Sequence, residues 1–377
     1  TGLGPADRTT LPRRAPGWRT APIESARRLL RYPGKVAGRE PGAGRTTCRE
    51  PRRKSETMSV LVTGSVAVDH IMVFEDRFKN HILADKVHMI NVSFFVPSLE
   101  KRWGGTGANI AFNLRRLGED PVLLAAVGSD LGPYASWLDE VGIRRDWLLQ
   151  LDDTFTSQCF ITTDLDNNQL TSFHPGAMER AHEARLEDVD RALSVGIVAP
   201  NGKQAMLDYA RGLKQRGVPC VLDPGQGLPM FDGEELLQMI DGAAVYVVND
   251  YEWSLTQEKT GLGQEAIAER VGALIVTRGA EGSLLIRGRE GLGVVVEEAK
   301  SEVPAVPPER VVDPTGCGDA YRSGILYAIH HGQPLETGAR IGSLMGSLKV
   351  ARQGPQSIEL GPDEIRGRYE EAFGQGF

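Results

Sequence analysis

The segment VVDPTGCGDA, residues 311–320, contains the residues best suited to bind and act on an anion. An apolar pair leads into a glycine-rich turn, and the helical pattern AYRSGILYAIHH follows. A turn of this kind at a helix start directs several backbone N–H groups to one point, and the helix dipole adds partial positive charge there. Glycine lets the backbone approach the anion closely. We therefore predict an anion hole formed by the amides of Gly316, Cys317 and Gly318.

Asp319 follows this turn and is expected in the first turn of the helix. A carboxylate beside an anion-binding turn can accept the proton of an attacking hydroxyl. Phosphoryl transfer requires both parts, because charge develops on the equatorial oxygens while the acceptor loses its proton. Taken alone, the segment leaves a second interpretation open, in which Asp319 caps the helix and the glycines form an ordinary turn.

Four other stretches contain glycines or polar side chains in suggestive positions: GSVAVD (residues 64–69), GGTGAN (104–109), NDYE (249–252) and TRGAEG (277–282). Three of them also have a purely structural interpretation: Asp69 as a turn residue, Asn249 and Glu252 as a helix cap, and TRGAEG as a tight turn between strands. GGTGAN could also be a dinucleotide-binding loop, but it does not have the G-x-G-x-x-G spacing, and no first strand of the sheet runs directly into it. A dinucleotide-dependent oxidoreductase is therefore not indicated.

Short β-branched runs alternate with helical patterns over much of the chain. The predicted buried strands are residues 60–64, 122–127, 197–198, 219–223, 244–248 and 273–276, and the predicted helices are residues 108–117, 202–216, 233–240 and 264–271. This alternation predicts parallel βαβ units covered by helices on both faces. In such a sheet, ligands bind beyond the carboxyl ends of the strands, where residue 249 is expected.

Two regions are expected to form strands apart from the main sheet. Residues 70–103 contain alternating segments such as 87–92 and few helix signals. Residues 159–163 and 170–173 flank the turn triplet DNN (166–168), which is typical of a β-hairpin. Together they predict a small lid, with strands from about 70–103 and 154–176, that excludes water from the site.

The segment DPTGCGD (313–319) resembles the second signature of the PfkB (ribokinase-like) carbohydrate kinase family, D-T-x-G-A-G-D, with Cys317 in place of alanine. GGTGAN resembles the first signature, NDYE matches the N-x-x-E motif, and TRGAEG resembles T-K-G-x-x-G with Arg278 in place of lysine. Asp69 matches the family's sugar-hydroxyl ligand. The matches occur in the family's order and cover residues 58 to about 354. The implied fold is a ribokinase-like, Rossmann-type three-layer α/β/α sandwich with a small β-strand lid.

The resemblance also implies an activity, namely ATP-dependent transfer of the γ-phosphoryl group to an alcohol with Asp319 as general base. Mg²⁺ would bridge the phosphates and be reached from Glu252 through water. Many relatives are activated by K⁺, and these residues leave a K⁺ requirement open. The implied ligand contacts are Asp69, Gly104, Gly105 and Asn109 for the substrate, and Asn249, Thr277, Gly279 and Gly282 for ATP.

Within the family, the stretches FKNHILADKVHMINVSF, GGTGANIAFNL and DNNQLTSFHPGAM are closest to bacterial adenosine and nucleoside kinases. The acceptor implied is the 5'-hydroxyl of a nucleoside, with adenosine as the first candidate. Phe173 could stack on the nucleobase. Equally, Phe173 and Met178 could pack the hairpin onto the core. The alternatives are a ribose or fructose kinase of the same family and a non-catalytic nucleotide-binding sensor.

Composition limits the partners and the compartment. The net charge of the 377-residue chain is −7, and no basic face indicates a nucleic-acid partner. The four cysteines lie far apart, as expected in a reducing compartment, and no apolar run approaches the roughly 18–20 residues of a membrane span. We expect a cytoplasmic protein. An exposed lid would also offer strand edges, so a homodimer formed through the lid is a hypothesis.

Residues 1–57 differ from the remainder of the chain. They contain 14 Lys and Arg but only 5 Asp and Glu, a net charge of +9, whereas the remaining residues carry −16. This Arg-, Pro- and Gly-rich composition predicts a disordered extension outside the native fold, with Met58 as the natural start. A transit peptide is the alternative, because the segment is Arg-rich and acid-poor. Residues 58–377 are then the kinase domain.

Overall fold

The computed structural model describes residues 58–82, 91–166 and 168–377. The predicted extension 1–57 and most of the predicted strand 87–92 lie outside these residues. The strands are β1 (Ser59–Thr63), β2 (Ala67–Val73), β3 (Ser98–Gly104), β4 (Val122–Gly128), β5 (Leu148–Leu151), β6 (Ser157–Thr163), β7 (Gln169–His174), β8 (Leu193–Val198), β9 (Cys220–Leu222), β10 (Val245–Asn249), β11 (Ala273–Thr277), β12 (Ser283–Arg287) and β13 (Lys300–Val303). The α-helices are α1 (Thr106–Arg116), α2 (Gly132–Glu140), α3 (Lys203–Gln215), α4 (Gly233–Ile240), α5 (Asp250–Thr260), α6 (Gln264–Ala268), α7 (Cys317–His330), α8 (Leu335–Val350) and α9 (Pro362–Phe373).

Nine strands form the main sheet, in the order β13-β12-β11-β10-β9-β8-β1-β4-β5. Among the described strands, all neighbours from β11 to β5 are parallel. At the other edge, β12 is antiparallel to β11, and β13 is antiparallel to β12. Successive strand residues face opposite sides, so that Val60 and Val62 pack in one hydrophobic core while Leu61 packs in the other. Helices cover both faces, which confirms the predicted three-layer α/β/α architecture.

The centre of the main sheet is a topological switch point. β1 lies between β4 on one side and β8 on the other, and these two neighbours are far apart in the sequence. Connections that leave β1 and β8 in opposite directions open a crevice beyond the carboxyl end of β1, at Thr63. This crevice is where an open α/β sheet binds its ligand.

A separate four-stranded sheet has the order β3-β2-β6-β7. β2 and β6 are parallel, whereas β6 and β7 form the antiparallel pair that the sequence predicted around the turn at residues 166–168. Asn167, within that turn, lies outside the described residues. Every residue of β7, an edge strand, is exposed, so this sheet presents an open surface to its surroundings.

The predicted helix 264–271 is shorter than expected. It ends at Ala268, because the Val271 N–H donates to the Ala268 carbonyl in a tighter turn and the Val271 side chain is fully buried just before β11. Helices α2, α8 and α9 were not predicted from the sequence, and α5 was indicated only by the interpretation of Asn249 and Glu252 as a helix cap. Among the described helices, none combines the length and the apolar character that crossing a membrane requires.

Glycines allow α7, the helix of the predicted base, to pack closely on α8. A Cβ atom on Gly324 would overlap the backbone nitrogen of Gly342 and lie 2.7 Å from the Gly338 carbonyl oxygen. Backbone cannot move aside as a side chain can, so a substitution here must separate the two helices.

We expect Gly324→Ala to lower the free energy of unfolding by about 1–3 kcal/mol through overpacking, although alanine favours helix formation. Gly367→Ala is the matched control, because Gly367 also lies within a helix but has open space around its Cα atom. The control should be neutral or more stable by up to about 1 kcal/mol. Urea denaturation measures both variants, and equal stabilities would contradict the predicted helix contact.

Candidate active site

The glycine-rich turn before α7 has a fixed backbone conformation. Gly316 precedes the helix with a φ of 80°, in the left-handed region, and a Cβ atom there would lie 2.7 Å from the Pro355 Cβ atom. The Asp313 carboxylate accepts hydrogen bonds from the N–H groups of Thr315 at 2.9 Å and Gly354 at 2.8 Å. The turn is therefore held from within and from the segment after α8.

The three amides predicted for the anion hole are not equivalent. The Cys317 N–H donates to the Pro314 carbonyl at 3.2 Å, so it is engaged within the turn. The amides of the first helical turn have no acceptor within the helix, and that of Gly318 is among them. The Arg322 guanidinium also lies beside Gly318, since a Cβ atom there would be 3.3 Å from its Nη1. The start of α7 thus combines free amides with a nearby cation.

The Asp319 side chain lies at this helix start and is almost completely buried, with 9% of its surface exposed. Its Oδ2 accepts a hydrogen bond of 2.8 Å from the Asn109 Nδ2 on α1. Burial raises the pKa of Asp319 to about 7, and the neighbouring Asp223 carboxylate adds to the rise. The hydrogen bond from Asn109 and the charge of Arg322 oppose it. The predicted base is thus a buried carboxylate whose pKa lies close to neutral pH.

A chain of hydrogen bonds orients Asn109. The Trp137 Nε1–H donates to the Gln356 Oε1 at 2.7 Å, and the Gln356 Nε2 donates to the Asn109 Oδ1 at 3.0 Å and to the Tyr134 hydroxyl at 2.7 Å. Because the Asn109 oxygen receives this bond, its amide nitrogen faces the carboxylate of Asp319. The sequence analysis did not identify Gln356, Tyr134 or Trp137, and no local pattern marked them.

A second buried pair lies behind the base. The Arg322 Nε and Nη2 donate to the two carboxylate oxygens of Asp223, each at 3.0 Å. Both side chains are buried. Sequence reasoning missed them, although two signals were available: Asp223 directly follows strand β9, and Arg322 lies three residues after Asp319 on the same helix face.

The first-signature glycines bring the backbone against Asp69 and against the turn after β1. A Cβ atom on Gly104 would lie 2.6 Å from the Asp69 Oδ2, and one on Gly105, whose φ is 90°, would lie 2.6 Å from the Ala67 nitrogen. Burial raises the pKa of Asp69 to about 6, and the Asp313 charge adds to the rise. The Asp69 charge also makes a small contribution to the raised pKa of Asp319.

The small sheet places Phe173 on the same face as Asp69. Strand pairing aligns Asp69 on β2 with Cys159 on β6, and Cys159 with Phe173 on β7. Directly paired residues point to the same side of a sheet, and two strand spacings amount to about 10 Å. The Phe173 side chain is 51% exposed. The alternative that Phe173 packs the hairpin onto the core is therefore wrong.

The residues predicted for ATP gather at two neighbouring strand ends. Asn249 and Thr277 are directly paired at the carboxyl ends of β10 and β11. The turn that follows β11 contains Gly279 and Gly282 with φ angles of 56° and 84°, and a Cβ atom on Gly279 would meet nothing within 4 Å. Gly279 therefore leaves backbone accessible at the edge where an open α/β sheet binds ligands, whereas Gly282 packs against the backbone after β13, where a Cβ atom would overlap the Val303 carbonyl oxygen.

Glu252 and Asn249 form a capping box at the start of α5. The Asn249 Oδ1 accepts from the Glu252 N–H at 2.7 Å, and the Glu252 Oε2 accepts from the Asn249 N–H at 2.8 Å. The structural interpretation of this pair as a helix cap is confirmed. Burial raises the pKa of Glu252, and the Asp223 charge adds to it despite Arg322 nearby. A carboxylate oxygen such as those of Glu252 is the type of ligand that a hard cation such as Mg²⁺ prefers, directly or through water.

Comparison with known proteins identifies the family of this chain. Residues 60–360 match the pfkB family of carbohydrate kinases. The chain is 32% identical over 303 residues to a nucleoside kinase of Methanocaldococcus jannaschii, covering 79% of this chain and 92% of that protein.

Solved structures show the same fold. The nucleoside kinase of Burkholderia thailandensis in complex with inosine is 43% identical and covers 85% of this chain and 100% of its own, with a TM-score of 0.75. A ribokinase of Thermotoga maritima, 20% identical, covers 83% of this chain and 99% of its own with a TM-score of 0.65, which supports the fold alone. The chain is therefore a phosphotransferase with an alcohol acceptor, and it belongs to the pfkB family of carbohydrate kinases.

Proposed function

We propose that the protein transfers the γ-phosphoryl group of ATP to the 5'-hydroxyl of a nucleoside, with Asp319 as general base. One observation supports the reaction above all others. The buried Asp319 carboxylate is fixed by Asn109 in the first turn of α7, directly after the glycine-rich turn. A base and an anion site in adjacent residues are what an in-line phosphoryl transfer needs.

In this mechanism, Asp319 accepts the proton while the acceptor oxygen bonds to the γ-phosphorus and the bond to the β-phosphate oxygen breaks. Asn109 binds one carboxylate oxygen, so the other is available to the hydroxyl. The raised pKa makes Asp319 a stronger base than an exposed carboxylate and still leaves it largely ionised above pH 7. Asn109 therefore supports the base, and a contact with the sugar would be an additional role.

The developing negative charge would be stabilised by the amides of Gly316 and Gly318 and by the dipole of α7. The Arg322 guanidinium adds a fixed positive charge beside them. The Cys317 amide, which already donates within the turn, would contribute less. Bound Mg²⁺ would neutralise the phosphates, and Glu252 would hold it through water. Asn249, Thr277 and the backbone at Gly279 and Gly282 would contact ATP.

The small sheet supports a nucleoside as the acceptor. Asp69, together with Gly104 and Gly105, would bind the ribose hydroxyls, and Phe173 extends from the same face about 10 Å away. An exposed aromatic ring at that distance suits a nucleobase, which a free sugar lacks. The Burkholderia thailandensis nucleoside kinase binds inosine, and a second structure of it contains ADP and inosine. Adenosine and inosine are therefore the first candidates.

We expect Asp319→Asn to lower kcat by about 10²–10⁴-fold, because it removes the proton acceptor. Nucleoside affinity, measured by calorimetry, should change little, which separates a catalytic loss from misfolding. Asp363→Asn is the control, since that carboxylate is 99% exposed on α9 and its loss should leave kcat unchanged. An unaltered kcat in Asp319→Asn would disprove the assignment and favour another base.

The pH dependence should reflect the environment of Asp319. Because burial raises the pKa of Asp319 to about 7, the base is protonated at lower pH, and kcat/KM should fall about tenfold per pH unit below that value. The rate should reach a plateau above it. Asp69→Asn removes the other raised carboxylate, whose pKa is about 6. In this variant, kcat/KM should still begin to fall near pH 7. If kcat/KM of the wild type began to fall only near pH 4, an exposed carboxylate would be the base instead.

A panel of adenosine, inosine, cytidine, ribose and fructose, followed by ADP release, tests the acceptor. We expect a nucleoside to give the highest kcat/KM and Phe173→Ala to raise its KM by about 5- to 100-fold through lost stacking. Phe160→Ala is the matched control, because Phe160 lies on the opposite face of β6 and stacks on His70. Ribose or fructose outcompeting every nucleoside would refute the nucleoside assignment and leave the kinase mechanism in place.

A further inference from the structure

Lys349 is a charged side chain that the proposed mechanism does not use. It lies in the last turn of α8, and its side chain is fully buried, with a relative exposure of 0%. Its ammonium donates to the carbonyl of Asp313 at 2.7 Å and to that of Arg352 at 3.1 Å, and it lies 3.9 Å from the Asp313 Oδ2. Lysine is almost never buried completely unless its charge is compensated, so this position requires an explanation.

The oxygens around this ammonium belong to the segments that shape the anion site. Asp313 begins the glycine-rich turn, and its carboxylate binds the N–H groups of Thr315 and Gly354. Burial works to raise the pKa of Asp313, but these two bonds bring it below its ordinary value. Lys349 and Asp313 therefore tie the turn to the segment 352–354 as a compensated pair of charges.

The charge of Lys349 also reaches the start of α7. Burial raises the pKa of the Cys317 thiol, and the Lys349 ammonium opposes that rise. A cation near the last carbonyls of α8 is also favourable for that helix. Burial lowers the pKa of Lys349 itself, while the Asp313 carboxylate counteracts this. The result is a fixed positive charge beneath the phosphate-binding turn.

Two carbonyl oxygens and a carboxylate are donors that a monovalent alkali cation would also accept. In this protein the ammonium already takes those oxygens, so a free K⁺ ion does not fit the same place. We propose that Lys349 is a built-in monovalent cation that shapes and charges the phosphate-binding turn, so that phosphoryl transfer needs no added alkali cation. This proposal rests on the proposed function and answers the K⁺ question that the sequence left open.

The wild-type protein provides the first test. Its nucleoside kinase activity is measured with Mg²⁺ and ATP in tetramethylammonium buffer, and KCl, NaCl or NH₄Cl is then added against tetramethylammonium chloride at equal ionic strength. We expect the added alkali or ammonium salt to change kcat by about twofold or less, which is on the order of assay error. If K⁺ raised kcat of the wild type about tenfold, which corresponds to about 1.4 kcal/mol of activation free energy, the proposal would be overturned.

Lys349→Ala removes the ammonium and leaves its oxygen partners around an open space. Loss of charge-assisted hydrogen bonds should lower kcat about 10- to 100-fold, and K⁺ or NH₄⁺ should restore much of it. Lys349→Met fills the space with apolar atoms, so it should lose kcat and stay insensitive to cations. A merely structural lysine would lower thermal stability without this difference between the two variants. A fully active Lys349→Met, or a Lys349→Ala that no cation restores, contradicts the proposal.

Lys259→Ala is the matched control. The Lys259 ammonium also donates to two carbonyls, those of Phe231 at 2.6 Å and Pro229 at 3.4 Å, but at the far end of α5 from Glu252. Its kcat should be unchanged and insensitive to K⁺. If the wild type phosphorylates ribose or fructose and no nucleoside, the proposed function fails, while the same cation series with that sugar still tests Lys349.

Discussion

The hydrogen bond between the Asn109 Nδ2 and the Asp319 Oδ2 is the contact on which the rest of the site depends. It joins α1 to α7 across 210 residues of sequence, beyond the carboxyl end of β1. Gly64 and Gly107 permit the close approach that seats α1 there, since a Cβ atom on Gly64 would lie 2.7 Å from the Gly107 nitrogen. Two helices that are far apart in the sequence, α1 and α7, thus meet at Asp319.

Buried charge is the common constraint around that contact. A hydrogen bond from a neutral amide stabilises the carboxylate of Asp319, Asp223 pairs with Arg322, and Lys349 pairs with Asp313. Buried ion pairs of this kind rarely add stability over apolar packing, because desolvation offsets the attraction. Their value lies in a fixed electrostatic environment that does not have to reorganise when phosphoryl charge develops. These buried charged groups therefore add little to the folding stability, and they supply preorganised charge for the reaction.

The two sheets divide the work between reaction and acceptor. In the proposed mechanism, the main sheet positions the glycine-rich turn, Asp319 and the proposed ATP contacts at its carboxyl edge, and this part carries out the phosphoryl transfer. The four-stranded sheet places Asp69 and Phe173 on one face, so under the proposed function a change there would alter the choice of acceptor and leave Asp319 in place. This division explains why the motifs indicated a kinase far more specifically than they indicated a nucleoside.

The sequence by itself determined the local elements, because φ preferences of glycine, β-branched runs and helical spacing act within a few residues. The turn before α7, the six predicted strands and the cap at Asn249 follow from such short-range rules. Tertiary structure alone decided the partners of these elements. Gln356 meets Asn109 across 247 residues, and Lys349 meets Asp313 across 36. No periodicity encodes such pairs, since they arise only when packed helices bring distant side chains into contact.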